Sequence, residues 1–401
     1  MFVYRKIIIL IIFSAIPFTV YSSGNISNAR SVGMGGASIG LARGVDAPIW
    51  NPANLGLPDN GRLSVNLVNM GVGIYNNSFT LQQYNTYNGA HWDENDIENI
   101  LNSIPADGME ISLTGNCQVM SFSSGQIAFS IEALVQSKAK LVKDFFDFVL
   151  HANYEKEEHI FDDCDGEMWG VMSYNLSGGL PIHVPIFQHF SIGGTIKYLQ
   201  GYGYMKIAET RGYRRTTSTG ENAAGSMKVN YASLGRGVSF DIGASAKLNQ
   251  SLTMGISLKN LINNIEWYKD TNYRYYSFSM DSVNLFNVLE EDSILFTEET
   301  SEKISRLSST LPIELHLGIA YSKAKYAIVL DYIQGFSNRA GSTSIPLIAA
   351  GAEFRLVPWF PLRTGFSVGG DDMVSTSIGC GVKLGPLALD FAASNRGGFI
   401  L

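Results

Sequence analysis

Apolar and polar residues alternate with a period of two along most of the chain. In segment 313–321 the odd positions are large and apolar, and the even positions are polar or small. Segments 238–248 and 374–384 repeat this pattern. Successive side chains of a β-strand point to opposite faces of its sheet, so the period predicts strands with one apolar face and one polar face.

The alternation predicts thirteen strands whose connections differ in length. The predicted strands are 61–74, 109–121, 125–136, 168–180, 187–203, 236–248, 251–268, 311–321, 326–334, 345–356, 362–369, 374–384 and 387–394. The connections 122–124, 181–186, 249–250, 322–325, 357–361 and 385–386 are short; 75–108, 137–167, 204–235, 269–310 and 335–344 are longer, and only 370–373 breaks the order. Short turns at one end and long loops at the other are typical of outer-membrane barrels, whose strand numbers are even. We therefore expect fourteen strands, the last lying in 270–280, in 395–401 or in the N-terminal segment.

Two further features favour a lipid-facing barrel over a secreted β-sandwich, which is the alternative. The apolar faces carry essentially no charge, as expected where an Arg or Lys costs about 2–4 kcal/mol at the bilayer midplane. Tyrosine and tryptophan gather near strand ends, where interfacial aromatic belts lie. These residues are Tyr198, Tyr202, Tyr204, Trp267, Tyr268, Tyr273, Tyr275, Tyr276 and Trp359. The predicted fold class is an all-β, transmembrane antiparallel β-barrel with an N-terminal luminal plug and short helices in the extracellular loops.

Composition and charge agree with this fold. Charged residues make up 16% of the chain, against about 25% in ordinary soluble domains. The net charge of −7 argues against nucleic-acid binding, which needs a basic surface. The three cysteines include no CxxC pair, and no HExxH motif occurs, so no such motif indicates a redox or metal-dependent enzyme.

The first residues predict export. Arg5 and Lys6 precede the apolar run 7–13, and the small residues Ser22, Ser23 and Gly24 follow. A basic start, a short apolar stretch and a small-residue exit are typical of a cleavable signal peptide, predicted here as 1–23. An uncleaved anchor is the alternative, although the apolar run is short for a span of about 20 residues. We expect the mature chain to reach the bacterial outer membrane.

A glycine-rich segment lies between this leader and the first strand. Gly33, Gly35 and Gly36 permit positive φ and close backbone packing in a crowded lumen. Asn51 and Pro52 form a turn signal. A dinucleotide-binding loop is excluded, because no strand precedes the glycines and no GxGxxG is completed. The segment can fold inward as a plug.

The same residues carry a resemblance to a known family. Segment 29–42 reads ARSVGMGGASIGLA, and segment 46–55 reads DAPIWNPANL. Together they closely resemble the N-terminal hatch of the FadL-like long-chain fatty-acid transporter superfamily. That superfamily includes the TodX-like aromatic-hydrocarbon channels and the PorV-like shuttle proteins of type IX secretion. Segments 361–366 and 379–392 look like its C-terminal strands. Asn54 departs from the glycine that usually follows the Asn-Pro-Ala triplet.

The resemblance implies a division into a hatch at 24–60 and a barrel at 61–401. The hatch residues it implies are Gly33, Gly35, Gly36, Trp50, Asn51, Pro52 and Ala53. Charged and ionisable residues on the polar strand faces are read as lumen electrostatics that hold the plug. They are Lys197, Asp241, Lys247, Lys259, Glu314, His316, Glu353 and Arg355.

Two functions remain open. The resemblance implies an outer-membrane transport protein that passes a hydrophobic or amphipathic small molecule. The alternative is a barrel whose long loops dock a secreted or surface protein. Outer-membrane lipid is the expected surrounding partner in both cases. No catalytic site, cofactor, metal or nucleic acid is expected.

The long loops hold the remaining candidates. Segments 141–154 and 283–307 are predicted helices that cap the barrel mouth. The acidic segment 162–167, with His151 and His159 upstream, is read as a solvated loop, with a calcium loop as the alternative. Arg211, Arg214 and Arg215 form a basic cluster, read as a solvated loop or as a contact for lipopolysaccharide phosphates.

Overall fold

The computed structural model describes residues 28–61, 63–151, 158–217, 220–283, 295–371, 373–385 and 387–396. The predicted signal peptide and the first residues of the predicted hatch, 24–27, lie outside the described residues. So does the chain end at 397–401.

Antiparallel strands dominate these residues. They are β1 (Ser64–Asn66), β2 (Asn69–Asn76), β3 (Met109–Ser124), β4 (Ile127–Leu141), β5 (Glu158–Ile160), β6 (Asp165–Ile182), β7 (His189–Thr217), β8 (Gly220–Ala232), β9 (Leu234–Lys247), β10 (Leu252–Lys269), β11 (Asn272–Val283), β12 (Leu295–Lys303), β13 (Leu307–Ser309), β14 (Glu314–Ser322), β15 (Tyr326–Gly335), β16 (Leu347–Val357), β17 (Phe360–Gly369), β18 (Val374–Leu384) and β19 (Leu387–Arg396). The helices are α1 (Ala29–Val32), α2 (Ala47–Trp50), α3 (Leu81–Tyr87), α4 (Glu94–Ser103) and α5 (Lys143–His151), with 3₁₀ turns at Gly44–Asp46 and Pro52–Gly56.

A continuous antiparallel ladder forms the wall of the molecule. It runs from β2 through β3, β4, β6, β7, β9, β10 and β14, and then strand by strand to β19. β1 pairs with the other end of β3, and β13 with the other end of β10. Residues 28–57 contact the wall all the way from β3 to β19. A short segment can contact so many strands only if the sheet curves around it, so the fold is a β-barrel.

The wall is apolar outside and polar inside. On β18 and β19 the outward Ile378 and Leu387 are 67% and 65% exposed, whereas the inward Ser375 and Ser377 are buried. The same contrast recurs on most other wall strands, although β15 also turns the apolar Ala327 and Val329 inward. A soluble sandwich buries its apolar faces, so this arrangement removes the sandwich alternative. An exposed apolar surface of this extent requires lipid around it.

The predicted wall strands are confirmed, with small shifts at most of their ends and an extension of β7 from the predicted 203 to Thr217. The described ladder has thirteen strand positions. β1 and β2 occupy one position beside β3, and β13 and β14 occupy one position beside β10. Segment 270–280, considered for the fourteenth, is a strand, but β11 pairs with β8 and β12 rather than with the wall edges.

Two predicted loops were wrong, because 204–235 and 269–310 contain strands. β7 is 29 residues long, although about 9–11 residues suffice to cross a membrane. Its far half pairs with β8, and β11 and β12 follow, with β5 on the opposite edge. We call these strands the projecting sheet. The alternation that revealed the wall strands is short in β8 and β11 and absent in β12.

The helix predictions had mixed outcomes. α5 lies within the predicted 141–154 and is confirmed. The second predicted helix, 283–307, was wrong for its described residues 295–307, most of which belong to β12. Residues 284–294 lie outside the described residues. α3 and α4 were missed, although both begin with capping boxes at Thr80 and Asp93. They pack with α5 in an apolar cluster that includes Ile100, Met109 and Phe146.

Candidate functional site

Short turns fold residues 28–57 into a compact unit inside the barrel. The Asn28 side chain caps α1 by accepting a hydrogen bond from the backbone N–H of Ser31 at 2.7 Å. The Asn51 side chain accepts one from the N–H of Ala53 at 3.0 Å, and Pro52 opens the 3₁₀ turn that follows. The side-chain amide of Asn51 also donates a hydrogen bond to the carbonyl of Ala244 on β9, at 2.9 Å. Asn51 therefore forms the local turn and attaches it to the wall.

The predicted glycines meet two different requirements. Gly35 has φ +73°, and a Cβ there would lie 2.9 Å from the backbone nitrogen of Phe366. Gly36 has φ +86°, but a Cβ there would meet open space. Gly33 lies against Gly379 of β18. Gly35 thus needs both a left-handed backbone and the absence of a side chain, while Gly36 needs only the backbone conformation.

An ion-pair network joins the start of this segment to the C-terminal strands. Glu353 accepts hydrogen bonds from Arg30 (2.9 Å to each carboxylate oxygen), Arg363 (2.8 Å) and Arg355 (2.6 Å). Arg363 also donates to Asp390 at 2.7 Å. The side chains of Glu353 and Arg363 are each 1% exposed. Every guanidinium here has a carboxylate partner, as buried charges require.

Two more carboxylates attach the segment further along. Asp331 on β15 accepts from the backbone N–H groups of Ser38 and Ile39, at 2.5 and 2.9 Å. Asp59 accepts from Arg43 at 3.0 Å and from Lys247 at 2.8 Å. Burial on its own would raise the pKa of Asp59, but the charges and hydrogen bonds of Arg43 and Lys247 outweigh it and lower the pKa to about 2.

A chamber of about 130 Å³ lies between the segment and the wall. Pro48 and Ile49 of α2 contribute to its lining, and β4, β6, β7, β9, β10 and β14 supply most of the rest. Its charged lining residues are Glu132, Lys197, Asp241, Lys259 and Glu314.

A bulge in β10 shapes this chamber. The register with β9 shifts between Leu258 and Ile262, and Asn260 has φ +53°. A bulge re-aims side chains, and here both Lys259 and Asn260 line the chamber. The backbone N–H of Asn260 donates to Asp241 at 2.8 Å, and its side-chain oxygen accepts from Lys197 at 3.0 Å. Lys197 also pairs with Asp241 at 2.7 Å.

The predicted lumen residues therefore divide into three groups. Lys197, Asp241, Lys259, Glu314 and His316 lie at or beside the chamber, where His316 and Glu314 are 3.0 Å apart. Glu353 and Arg355 belong to the network around Arg30, and Lys247 pairs with Asp59.

Several charged residues of the lumen were missed by sequence reasoning. These are Arg30, Glu132, Asp331, Arg363 and Asp390. Glu132 had a usable signal, because Ser130 and Glu132 fall on the polar positions of a strand whose alternate residues are Phe129 and Ile131.

The loop candidates are partly exposed and partly paired. Asp162, Asp163 and Asp165 are exposed, as predicted for a solvated loop, whereas Glu167 is buried and pairs with Arg339. Arg214 lies over the Phe148 ring at 5.2 Å, and Arg215 pairs with Glu158. Arg211 is exposed and pairs with Glu209, so the three arginines do not form one open basic patch. Among the described residues, no group of three or more His, Cys, Asp or Glu side chains is arranged to hold a metal ion.

Within the described ranges, no helix combines the length and apolar content needed to cross a membrane.

Comparisons with known proteins identify a sequence family and solved structures with a similar fold. The model of a family of unknown function, DUF5723, matches residues 52–234 and 217–394. No curated protein matches the sequence significantly. Among solved structures, a deltaS2S3 mutant of the TodX monoaromatic hydrocarbon channel aligns with TM-score 0.55 and 11% identity, covering 92% of this chain and 93% of that one.

Two related structures give weaker alignments. A Pseudomonas aeruginosa FadL homologue has TM-score 0.47 and 12% identity over 94% of this chain and 90% of that one. The Pseudomonas putida toluene transporter TodX has TM-score 0.45 and 11% identity over 95% and 99%. The expected resemblance to FadL-like barrels is confirmed at the level of the fold.

Proposed function

The chain belongs to DUF5723, a family of unknown function, and from its geometry we propose that it is an outer-membrane barrel that passes a hydrophobic or amphipathic small molecule. In this proposal, residues 24–60 act as a hatch across the lumen. The observation that carries it is the position of the described part of this segment, which contacts the wall from β3 to β19 while a chamber lies directly against it.

The contacts of the segment suit a hatch that must be both held and moved. It is attached by hydrogen bonds and ion pairs at a few points, such as Arg30, Ser38 and Asn51. Wall glycines, including Gly193 and Gly365, allow its backbone to approach closely. Polar contacts of this kind can exchange for water when the segment shifts.

The outer surface supports the proposed location. Lipid would surround the exposed apolar side chains of the wall, and Tyr198, Tyr268 and Trp359 are all exposed, as interfacial residues would be. The structures to which this fold is similar are described as transporters and channels for hydrocarbons. Export would rely on the signal peptide predicted at 1–23.

A second candidate function rests on the projecting sheet. It extends the wall on the side of the long connections and presents exposed aromatic residues, among them Tyr213, Tyr275 and Phe278. Exposed aromatic side chains are typical of protein-binding surfaces. The sheet could therefore dock a secreted or surface protein.

Uptake into proteoliposomes tests the transport proposal. We would reconstitute the mature chain and measure entry of a fluorescent fatty acid and of toluene, using empty liposomes and an unrelated barrel as controls. Faster entry than in both controls is expected. Equal entry in all three preparations would refute transport of these classes, and copurification of a stable protein partner that is lost on removing 272–303 would then favour docking.

A further inference from the structure

The chamber against the hatch combines charged and apolar side chains, which is unexpected for a barrel that passes purely hydrophobic compounds. Its volume is about 130 Å³, roughly ten times the minimum that holds one water molecule. It can therefore hold a small organic group. Sites for apolar ligands are lined mainly by hydrophobic and aromatic side chains, whereas five charged residues line this one.

Some of these charges are neutralised by their neighbours. Lys197 pairs with Asp241 at 2.7 Å and also donates to Asn260. Glu314 lies 3.0 Å from the ring of His316. These contacts give each of the two carboxylates a close partner inside the protein.

Lys259 differs from them. Its side chain is buried, at 7% exposure for the residue, and lines the chamber. Among the described residues, no carboxylate lies within 4.0 Å of its ammonium group, which lies over the Trp50 ring, 5.6 Å from the ring centroid. An ammonium group held in this way keeps its hydrogen-bond donors available to a bound anion.

Glu132 provides the complementary charge. It lines the same chamber from β4, which is separated from β10 in the wall by β6, β7 and β9. The Ser130 hydroxyl donates to it at 3.0 Å, and no lysine or arginine of the described residues lies within 4.0 Å. A carboxylate can accept further hydrogen bonds.

We propose that the chamber binds a zwitterionic group, whose anionic end contacts Lys259 and whose ammonium end contacts Glu132. This deepens the proposed transport function, because the group would be the polar end of the amphipathic molecule that passes the hatch. Since Lys259 also lies over Trp50 of the hatch, a ligand that binds Lys259 does so beside the segment that must move.

The test uses the mature, detergent-solubilised protein and three probes of one carbon skeleton. Leucine carries both charges, 4-methylpentanoate only the anion, and 3-methylbutylamine only the cation. Equilibrium dialysis would measure binding of each. We expect leucine to bind about tenfold to a hundredfold more tightly than either analogue, as the loss of a charged hydrogen bond implies. Equal binding of the three probes, or no binding of leucine, would overturn the proposal.

Variants assign the contacts. Lys259→Met and Glu132→Gln should each weaken leucine binding by about tenfold or more, whereas the exposed controls Lys269→Met and Glu266→Gln should leave it unchanged. Heat-modifiable migration on gels confirms that each variant is folded. If Lys259→Met does not fold, Glu132→Gln with the amine probe tests the same site from its other side. Unchanged leucine binding in a folded chamber variant would refute the assignment.

The two proposals fail separately. If a fatty acid crosses but leucine does not bind, the chamber proposal is wrong and transport stands. If leucine binds in a Lys259-dependent way but neither the fatty acid nor toluene crosses faster than in controls, the chamber proposal stands and the proposed transport is wrong.

Discussion

Two regions of the lumen differ in whether their buried charges have close partners of opposite charge. Around Arg30, on β16 to β19, one carboxylate accepts hydrogen bonds from three guanidinium groups, and Arg363 reaches a second carboxylate. At the chamber, between β4 and β14, Lys259 and Glu132 have no partner of opposite charge within 4.0 Å among the described residues. Paired buried charges hold a structure together, whereas available ones can bind something else. The first region therefore attaches residues 28–57, which we propose to form a hatch, and the second is where we propose that a ligand binds.

Removing the central carboxylate of the anchor should have the largest effect. Glu353→Gln leaves Arg30, Arg355 and Arg363 without their shared partner, and breaking a buried ion pair from one side costs about 3–5 kcal/mol. Urea unfolding in lipid vesicles should show a loss of this order. The exposed Glu266→Gln is the matched control, and an equal, small change in both variants would mean that the network does not hold the hatch.

Alanine substitutions at two glycines of the hatch should separate the cost of backbone strain from the cost of a clash with the wall. Gly35→Ala and Gly36→Ala both place an alanine at positive φ, at about 1–2 kcal/mol each. Only the methyl group at position 35 also meets the wall, at Phe366. The free energy of unfolding should therefore fall further in Gly35→Ala, and its planar-bilayer conductance should rise. Identical values for the two variants would contradict the packing described between Gly35 and β17.

At the chamber, the corresponding charge deletion should change stability little. Lys259→Met replaces an ammonium group that has no close carboxylate, and the substitution also removes the cost of burying that charge. The free energy of unfolding should change by less than about 1 kcal/mol, in contrast to Glu353→Gln. A loss as large as that of Glu353→Gln would show that Lys259 is an anchor rather than a ligand-binding group.

The smallest effect is a dependence on pH at the end of the hatch. The pKa of Asp59 is about 2 in the folded protein and 3.8 for an ordinary aspartate. The carboxylate therefore stabilises the fold above pH 3.8, and this contribution disappears as the pH falls towards 2. Unfolding of Asp59→Asn should depend less on pH in this window than that of the wild type, whereas the exposed Asp107→Asn should follow the wild type.

The wall could be predicted from sequence because lipid and lumen impose opposite requirements on alternate residues. The projecting sheet was missed because the alternation in β8 is short, limited to Met227, Val229 and Tyr231, and β12 has none. β15 illustrates a subtler limit. Its inward residues Ala327 and Val329 pack on Met34 of the hatch, so both faces of the strand are apolar. The inward Asp331 was therefore not recognised as a hatch contact.

The candidate site was predictable as residue types but not as pairs. Glycines and the Asn-Pro turn marked the segment that enters the lumen, because few other residues allow such backbone geometry. The partners of its charges depend on distant strands. Arg30 and Glu353 are 323 residues apart, and no local pattern joins them.

The most direct test of the account asks whether the hatch must move. The side chains of Asn54 and Ser245 meet between the hatch and β9, so Asn54→Cys with Ser245→Cys, in a background without Cys117, Cys164 and Cys380, provides a reversible cross-link. Fatty-acid entry into proteoliposomes should fall to the rate of empty liposomes when the pair is oxidised and rise again on reduction, while each single-cysteine variant remains active throughout. Entry that continues unchanged through the fully oxidised protein would contradict a moving hatch.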